Sequence, residues 1–577
     1  MAASNLTIRV GGEGGEGIIS TGDMTAKAAA RDGFHVLTFK TFPAEIRGGY
    51  AMYQICMSEQ EIHSQGDGFH ILIVFNKDAL DTNRSSLRAG NVLVWDGPGG
   101  DIDELGDIPE GVTVYNVPMS KIAKEELKNY RAKNMVALGA ISELFSLPIG
   151  RIKELIQAKF ENKGEAVLKG NFIGFDAGRD YVKNNITKTD DYKMVDLGAE
   201  KDTLLISGNE AVGLGALVAG CRFFSAYPIT PATEVAIWLA KYLPKVNGTL
   251  VQAEDEIASL ANVIGASFAG AKSMTATSGP GLSLMQELLG LSSISETALV
   301  IANVQRGGPS TGLPTKHEQS DLFSAALGGH GDGTRIVLSP ENVQECFSLT
   351  IEAFNLAERY QVPVILLSDG SLGMRTETIH RPDLSKITTV EREKASESDA
   401  ESFNRYEFTD SNISPVSVPG QKGLAYKATG LEHAISGSPN TKPENRVKMM
   451  EKRFKKLDDI EEFFPQTQID KDDGAELGLV SFGSTQGAVK DAVKVLRERG
   501  HKIASFYPKL LFPFPVNAFK KFNEGLKQVV VPEINYQGQL AEIISAKTGV
   551  TPVKYNIYAG FPFNPCDIVN RIEELLS

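Results

Sequence analysis

A chain of 577 residues, at roughly 150 per domain, is long enough for about four folding units. Its 42% apolar and 23% charged residues are ordinary for globular proteins, and no window of about 18 apolar residues offers a membrane span. Lys+Arg 59 against Asp+Glu 72 gives 59 − 72 = −13 with no long basic run, which argues against a nucleic-acid partner and leaves any anion site to local residues.

The N-terminus, MAASNLTIRV, runs directly into a strand-like segment with no basic stretch, apolar core and small-residue cleavage site, so a cytoplasmic protein is expected. Residues 1–183 alternate strand-like runs (LTIRV, HVLTF, ILIVF, NVLVW, TVYNV) with amphipathic stretches, the pattern of an α/β domain. Gly12 to Gly17 spell G-E-G-G-E-G after a strand and before a helix, which formally matches a dinucleotide fingerprint. The acidic residue that such a site needs at the end of the next strand is missing at HVLTFK, and Glu13 and Glu16 would face a pyrophosphate with like charge. A tight strand-to-helix turn explains the glycines better. The loop Pro43 to Gly49 holds one arginine, Arg47, that could meet an anion.

Thiamine diphosphate sites hold magnesium with a G-D-G motif at a strand end and a later asparagine. Gly66-Asp67-Gly68 and Asn91 have that spacing, but the strand HILIVF follows the motif instead of leading into it. Gly331-Asp332-Gly333 likewise precedes its strand, RIVLS. A diphosphate needs a strand running into the motif and a helix N-terminus after it, so no magnesium ligand is expected in this chain.

Residues 184–201 are polar and aperiodic, as in a linker, and a second α/β domain is expected over 202–372, opening at TLLIS. Four segments stand out in it. Tyr227-Pro228-Ile229-Thr230-Pro231 leaves a strand for a helix, and on local physics Thr230 is a helix cap with Pro231 in the first helical position. Glu254-Asp255-Glu256 opens a helix of small residues, an acidic start that suits the helix dipole. Thr277-Ser278-Gly279-Pro280-Gly281 is a strand-to-helix turn, and Arg306 ends the strand ALVIANVQ beside GGPSTGLPT, well placed to bind a carboxylate. Residues 373–473 form a polar arm of mixed charge, for which a solvated interface is the default. Residues 474–577 return to α/β, giving three α/β domains and an arm. The four cysteines, Cys56, Cys221, Cys346 and Cys566, lie far apart with no CxxC pair, so they are expected as small buried residues and not as cluster ligands.

In that order, YPITP, EDEIASLANVIGASFAGA, TSGPG, NVQRGGPSTGLPT and VPVILLSD resemble the pyrimidine-binding domain of the 2-oxoacid:ferredoxin oxidoreductase α subunit. ATGLEHAISGSPNT, MMEKRFKKL, SFGSTQG and PEINYQGQL resemble the rest of that subunit, ending in a transketolase-C-terminal-like domain. GGEGGEGI, EIRGG, NMVALGA and GNFIGFDAG resemble the family's γ subunit, so the chain is similar to a γ–α fusion.

The resemblance implies that Glu256 hydrogen-bonds the aminopyrimidine of thiamine diphosphate and promotes the imino tautomer that takes the thiazolium proton. It implies a cofactor surface of Tyr227, Pro228, Ile229, Glu256, Ser278 and Gly279, with Thr230 and Arg306 against the 2-oxoacid. The reaction implied is reversible oxidative decarboxylation, passing electrons singly to an iron–sulfur cluster before coenzyme A takes the acyl group. This chain would hold half of that site. The diphosphate, its magnesium and a 4Fe-4S cluster would sit on a β subunit in an α2β2-type heterotetramer, with ferredoxin as the electron partner. The fused arrangement, GGPSTGLPTKHEQSDL and the TGLEH arm are most like the 2-oxoglutarate type, although related chains usually have threonine or glutamine where His317 stands. Pyruvate and branched-chain 2-oxoacids stay open, as do an NAD(P)-dependent oxidoreductase and a noncatalytic assembly subunit.

Overall fold

A computed structural model describes residues 5–43, 48–97, 105–195, 197 and 202–577. Arg47 lies outside the described residues. The chain divides into two compact units, 1–206 with 375–381, and 207–374 with 382–577.

In the first unit the described strands pair in the order Thr113–Asn116, Val92–Trp95, Ile71–Val74, Asn5–Glu13, Tyr50–Ser58, His35–Thr41, Thr376–His380 and Thr203–Ser207. The first four run parallel, and Tyr50–Ser58 is antiparallel to both of its neighbours. That strand is absent from the sequence expectation: the run YAMYQICMS is buried almost throughout, so it lacks the period of two that marks a half-exposed strand. TLLIS, expected to open the second domain, instead completes this first sheet, and Thr376–His380 from the polar arm joins it as well. Backbone pairing, invisible in the local pattern, decides both placements.

The fingerprint loop is closed on itself. Glu16 accepts from the Glu13 amide (2.8 Å) and from Asn76 Nδ2 (2.9 Å), and it pairs with Lys133 Nζ at 2.9 Å. Lys133 also meets Asp96 at 2.9 Å. The Gly14 and Glu16 amides donate to Gly49 and Glu13 carbonyls. Three amides that could cradle a pyrophosphate are thus used internally, and the NAD(P) reading loses its site. The NMVALGA and GNFIGFDAG motifs cross where helices Lys133–Leu144 and Glu165–Asn185 pack: a Cβ on Gly139 would lie 1.9 Å from the Phe175 carbonyl oxygen, and one on Gly178 2.0 Å from that of Val136. These glycines let two backbones touch.

The second unit contains two sheets. In the larger, Leu510–Phe512, Ile336–Leu338, Pro363–Asp369, Leu299–Gln305, Ser273–Thr277, Phe223–Ala226 and Thr249–Gln252 lie side by side, all parallel except the first. The smaller runs Gln468–Lys471, Ile503–Tyr507, Leu477–Val480, Gln528–Glu533 and Val553–Asn556. The C-terminal α/β region is not a separate body, because Leu510–Phe512 extends the larger sheet and one apolar core runs from Leu260, Leu282 and Ile365 to Phe506, Phe519 and Phe522. Three α/β regions therefore form two compact units.

The arm after 382 is exposed along much of its length but is anchored by a buried cluster of charges. Its helix Pro443–Lys455 and the residues after it send Lys452 and Lys456, both fully buried, onto the carboxylate of Glu296, with Lys452 Nζ 2.8 Å from each oxygen and Lys456 Nζ at 3.3 Å. Arg405 Nη2 donates to the Glu296 carbonyl and to Gln361 Oε1, both at 2.8 Å. Burial alone would push the Glu296 carboxyl up, but Lys456, Lys452 and Arg405 outweigh it and hold the group well below the usual carboxylate range. Part of the mixed charge in this arm makes a paired, buried contact, which composition cannot tell from a solvated one. Among the described residues no helix is long and apolar enough to cross a membrane.

Candidate active site

From Phe223–Ala226 the chain steps outward to the edge strand Thr249–Gln252, then returns to Ser273–Thr277 on the other side of Phe223–Ala226. The connections diverge between those two neighbours, and in open parallel sheets a binding crevice forms outside the carboxyl ends at such a point. The four segments singled out in the sequence all leave strands at this edge.

Glu256 is the first residue of helix Glu256–Phe268, capped by Asp255, whose side chain accepts from the Ala258 amide at 2.7 Å. Glu256 is 8% exposed, and no hydrogen bond or ion pair from the described residues reaches its carboxylate. It lies against the TSGPG turn: a Cβ on Gly281 would fall 2.0 Å from Thr277 Oγ1 and 2.6 Å from Glu256 Cγ. Gly281→Ala is therefore expected to displace the Glu256 side chain and to destabilise the turn by about 1–3 kcal/mol, read by chemical denaturation. Ser278 Oγ is buried without a partner.

Thr230 caps nothing. The Ala232 amide closes a turn onto the Ile229 carbonyl at 2.8 Å, so helix Thr233–Tyr242 begins later than the local pattern suggested and the Thr230 side chain stays exposed. Its carbonyl accepts from Arg306 Nη1 at 2.7 Å, while Nη2 donates to the Thr311 carbonyl at 3.3 Å. Arg306 is buried and held by neutral carbonyls, and among the described residues no acid lies within ion-pair distance of it and none partners its buried Nε–H. Burial pushes its guanidinium down from the ordinary value, and Asp321 and Glu256 oppose that. An arginine always keeps its proton, so an unsatisfied fork remains for an anion.

Arg306 and Gly279 line a cleft of about 1020 Å³ together with Glu318, Asp321, Tyr536 and Tyr558. Tyr536 and Tyr558 meet edge to face at 5.2 Å. Glu256, Ser278, Tyr227, Pro228 and Ile229 stand outside that cleft, and Tyr227 is 42% exposed. The sequence expectation had missed Asp321 and the tyrosine pair, which lie on loops after strands, Asp321 in KHEQSD, Tyr536 in PEINYQG and Tyr558 in NIYAG; position at a strand's carboxyl end was the available signal. His317 is not in the cleft: its ring is buried between Asp369 Oδ1 and Ser484 Oγ, each 3.4 Å away.

The reversed G-D-G motifs stay reversed. Asp67 precedes strand Ile71–Val74, and Asn91 is occupied locally, donating to the Phe69 carbonyl and accepting from the Arg88 amide at 2.8 Å each.

Residues 214–452 match the thiamine diphosphate-binding domain of pyruvate flavodoxin/ferredoxin oxidoreductases, 7–181 their pyruvate ferredoxin/flavodoxin oxidoreductase domain, and 475–563 core domain II of pyruvate:ferredoxin oxidoreductase. The crevice thus belongs to a thiamine-binding α/β domain. The chain is 33% identical to the 2-oxoglutarate oxidoreductase subunit KorA of Mycobacterium tuberculosis over 94% of this chain and 87% of that one. It is 41% identical to the 2-oxoglutarate synthase subunit KorA of Archaeoglobus fulgidus over 64% of this chain and 98% of the relative. The solved 2-oxoglutarate:ferredoxin oxidoreductase of Magnetococcus marinus, with 2-oxoglutarate, coenzyme A and succinyl-CoA bound, matches with a TM-score of 0.95 and 51% identity over 99% of this chain and 100% of that one. The chain belongs to the 2-oxoacid:ferredoxin oxidoreductase family.

Proposed function

We propose that this chain is the α-type subunit of an enzyme that converts 2-oxoglutarate, coenzyme A and oxidised ferredoxin to succinyl-CoA, CO2 and reduced ferredoxin, reversibly. The observation that carries this reading is the likeness, over the whole chain, to the Magnetococcus marinus enzyme and its bound 2-oxoglutarate and succinyl-CoA.

The residues at the crevice suit the aminopyrimidine end of thiamine diphosphate. Glu256 offers a carboxylate without a protein partner, Ser278 a buried hydroxyl without one, and Gly281 leaves room beside them. When bound, the cofactor supplies the electron sink for breaking the bond to the departing carboxyl carbon. Glu256 then holds a proton at a pyrimidine nitrogen, and Tyr227, Pro228, Ile229 and Gly279 form the surface beside the ring. Arg306 takes the 2-oxoacid carboxylate with the N–H groups its loop carbonyls leave free, and Thr230 orients the substrate from the same turn. Arg306→Ala is expected to cost about 2–5 kcal/mol in kcat/KM, mostly as a higher KM, because a buried charge partner is lost.

A β subunit, in an α2β2-type assembly, carries the diphosphate, magnesium and 4Fe-4S sites. Cys56, Cys221 and Cys346 are buried, as the sequence led one to expect, whereas Cys566 is exposed, against the expectation of four buried thiols. Exposed apolar side chains at Tyr227, Ile257 and Leu284, on three segments around the crevice, suit coverage by that partner.

The test is to purify the chain with its β partner and assay 2-oxoglutarate, pyruvate and a branched-chain 2-oxoacid for coenzyme A-dependent reduction of ferredoxin. Preferred turnover of 2-oxoglutarate is expected. Preference for another acid overturns the substrate assignment, and no turnover with cofactor and cluster both loaded overturns the reading itself.

A further inference from the structure

Asp321 stands on the cleft wall with no task assigned by the reading above. It is anchored from the strand that delivers Arg306: its amide donates to Gln305 Oε1 at 3.0 Å, and its Oδ2 accepts from Asn303 Nδ2 at 2.9 Å. Asn303 and Gln305 are alternate residues on one face of strand Leu299–Gln305, so the residues before Arg306 also fix this carboxylate. Its other oxygen lies over the TSGPG turn, where a Cβ on Gly279 would come within 2.6 Å of Oδ1. That turn runs between two carboxylates, Glu256 beside Gly281 and Asp321 beside Gly279. Asp321 is also the acid that acts most strongly on the Arg306 guanidinium, ahead of Glu256, although it makes no ion pair with it.

We propose that Asp321 is a positioning residue that serves as the counter-charge of Arg306, weakening its grip on the substrate carboxylate and balancing the guanidinium once that carboxylate has left as CO2. This rests on the assignment of Arg306 to the 2-oxoacid carboxylate. The physical case is differential binding. An arginine with no nearby acid would hold the ground-state carboxylate tightly, and that interaction vanishes as charge leaves the carboxyl group, so it would lower KM and kcat together. A fixed anion on the wall of the same cleft offsets part of the ground-state attraction. Burial pushes the Asp321 carboxyl up to about 6, against the Asn303 hydrogen bond and Arg306, with Glu318 adding to the rise. The charged neighbours are thus Arg306 and Glu318, and Tyr536 and Tyr558 also line the cleft. Asp321 is ionised above that pH and neutral below it, so the counter-charge is present at pH 7.5 and mostly absent at pH 5.

The test uses the complete complex and glutarate, a dicarboxylate that cannot be decarboxylated, with binding followed by calorimetry at pH 7.5, where the ligand and Asp321 are both ionised. Asp321→Asn should bind it roughly tenfold more tightly than wild type, the effect of removing one like charge. Steady-state assays of Asp321→Asn should show KM for 2-oxoglutarate and kcat falling together. Asn303→Ala, which frees the carboxylate from its anchor, should move both quantities in the same direction to a smaller extent, and stands in if Asp321→Asn fails to fold. Unchanged glutarate affinity and unchanged KM in the variant that folds overturn the proposal. Arg306→Ala separates the two levels: if it binds glutarate like wild type, the carboxylate role of Arg306 is wrong. If it loses binding while the Asp321 and Asn303 variants match wild type, only the counter-charge falls.

Discussion

Replacing Glu256 with alanine is expected to slow coenzyme A-dependent oxidation of 2-oxoglutarate by the assembled complex about 10²–10⁴-fold, the usual contribution of a positioned proton-transfer group. The unfolding temperature should barely move. Glu256 is the first residue of its helix and makes no hydrogen bond there, so its loss removes only the dipole interaction of an acid in the first turn, about 0.3–1 kcal/mol. Glu256→Gln sharpens the test, because it keeps the shape and a hydrogen-bonding group but cannot accept a proton. If either variant retains near-normal turnover, the residue only opens a helix, and the noncatalytic reading of the chain gains ground.

The second large effect is on stability and lies far from the chemistry. Glu296→Gln is expected to destabilise the second unit by about 3–5 kcal/mol, since it leaves Lys452 and Lys456 buried beside Arg405 with no countercharge. Chemical denaturation followed by tryptophan fluorescence or circular dichroism would read this, and a loss below about 1 kcal/mol, the range of exposed pairs, would mean the cluster is hydrated in solution. Its pH dependence has a definite sign. Burial pushes Lys456 down to about 8 from an ordinary 10.5, despite the attraction of Glu296. Between those values the unfolded chain binds more protons than the native one, so this lysine's contribution to stability rises with pH across that window. Lys456→Met should abolish that part of the slope.

The local order of the active site was legible because each piece is a strand-end motif. YPITP, EDE, TSGPG and the arginine after ALVIANVQ are short, chemically distinctive and placed where parallel strands stop, so a linear reading could collect them and assign the polarity of both G-D-G motifs. What it could not do was rank Thr230 as a turn residue against Thr230 as a cap, because the deciding contacts, the Ala232 amide to the Ile229 carbonyl and the distant Arg306 guanidinium to the Thr230 carbonyl, use main-chain groups of this segment that carry no residue signature. Asp321 escaped for a related reason: its environment comes from Asn303, Gln305 and Gly279, which are scattered along the chain.

Composition and pattern determined the α/β class, the order of the motifs, the family resemblance and the scatter of the four cysteines, since these depend only on residue type and spacing. Tertiary structure decided what belongs to which sheet and which charges are buried. Thr203–Ser207 and Thr376–His380 joined the first sheet, Leu510–Phe512 the second, and Lys452 and Lys456 closed on Glu296 from over a hundred residues away. The physical reason is the same in each case. An edge strand takes whichever neighbour offers unpaired N–H and C=O groups, and a lysine is solvated or buried according to whether a carboxylate awaits it; neither choice is written in the residues next to it.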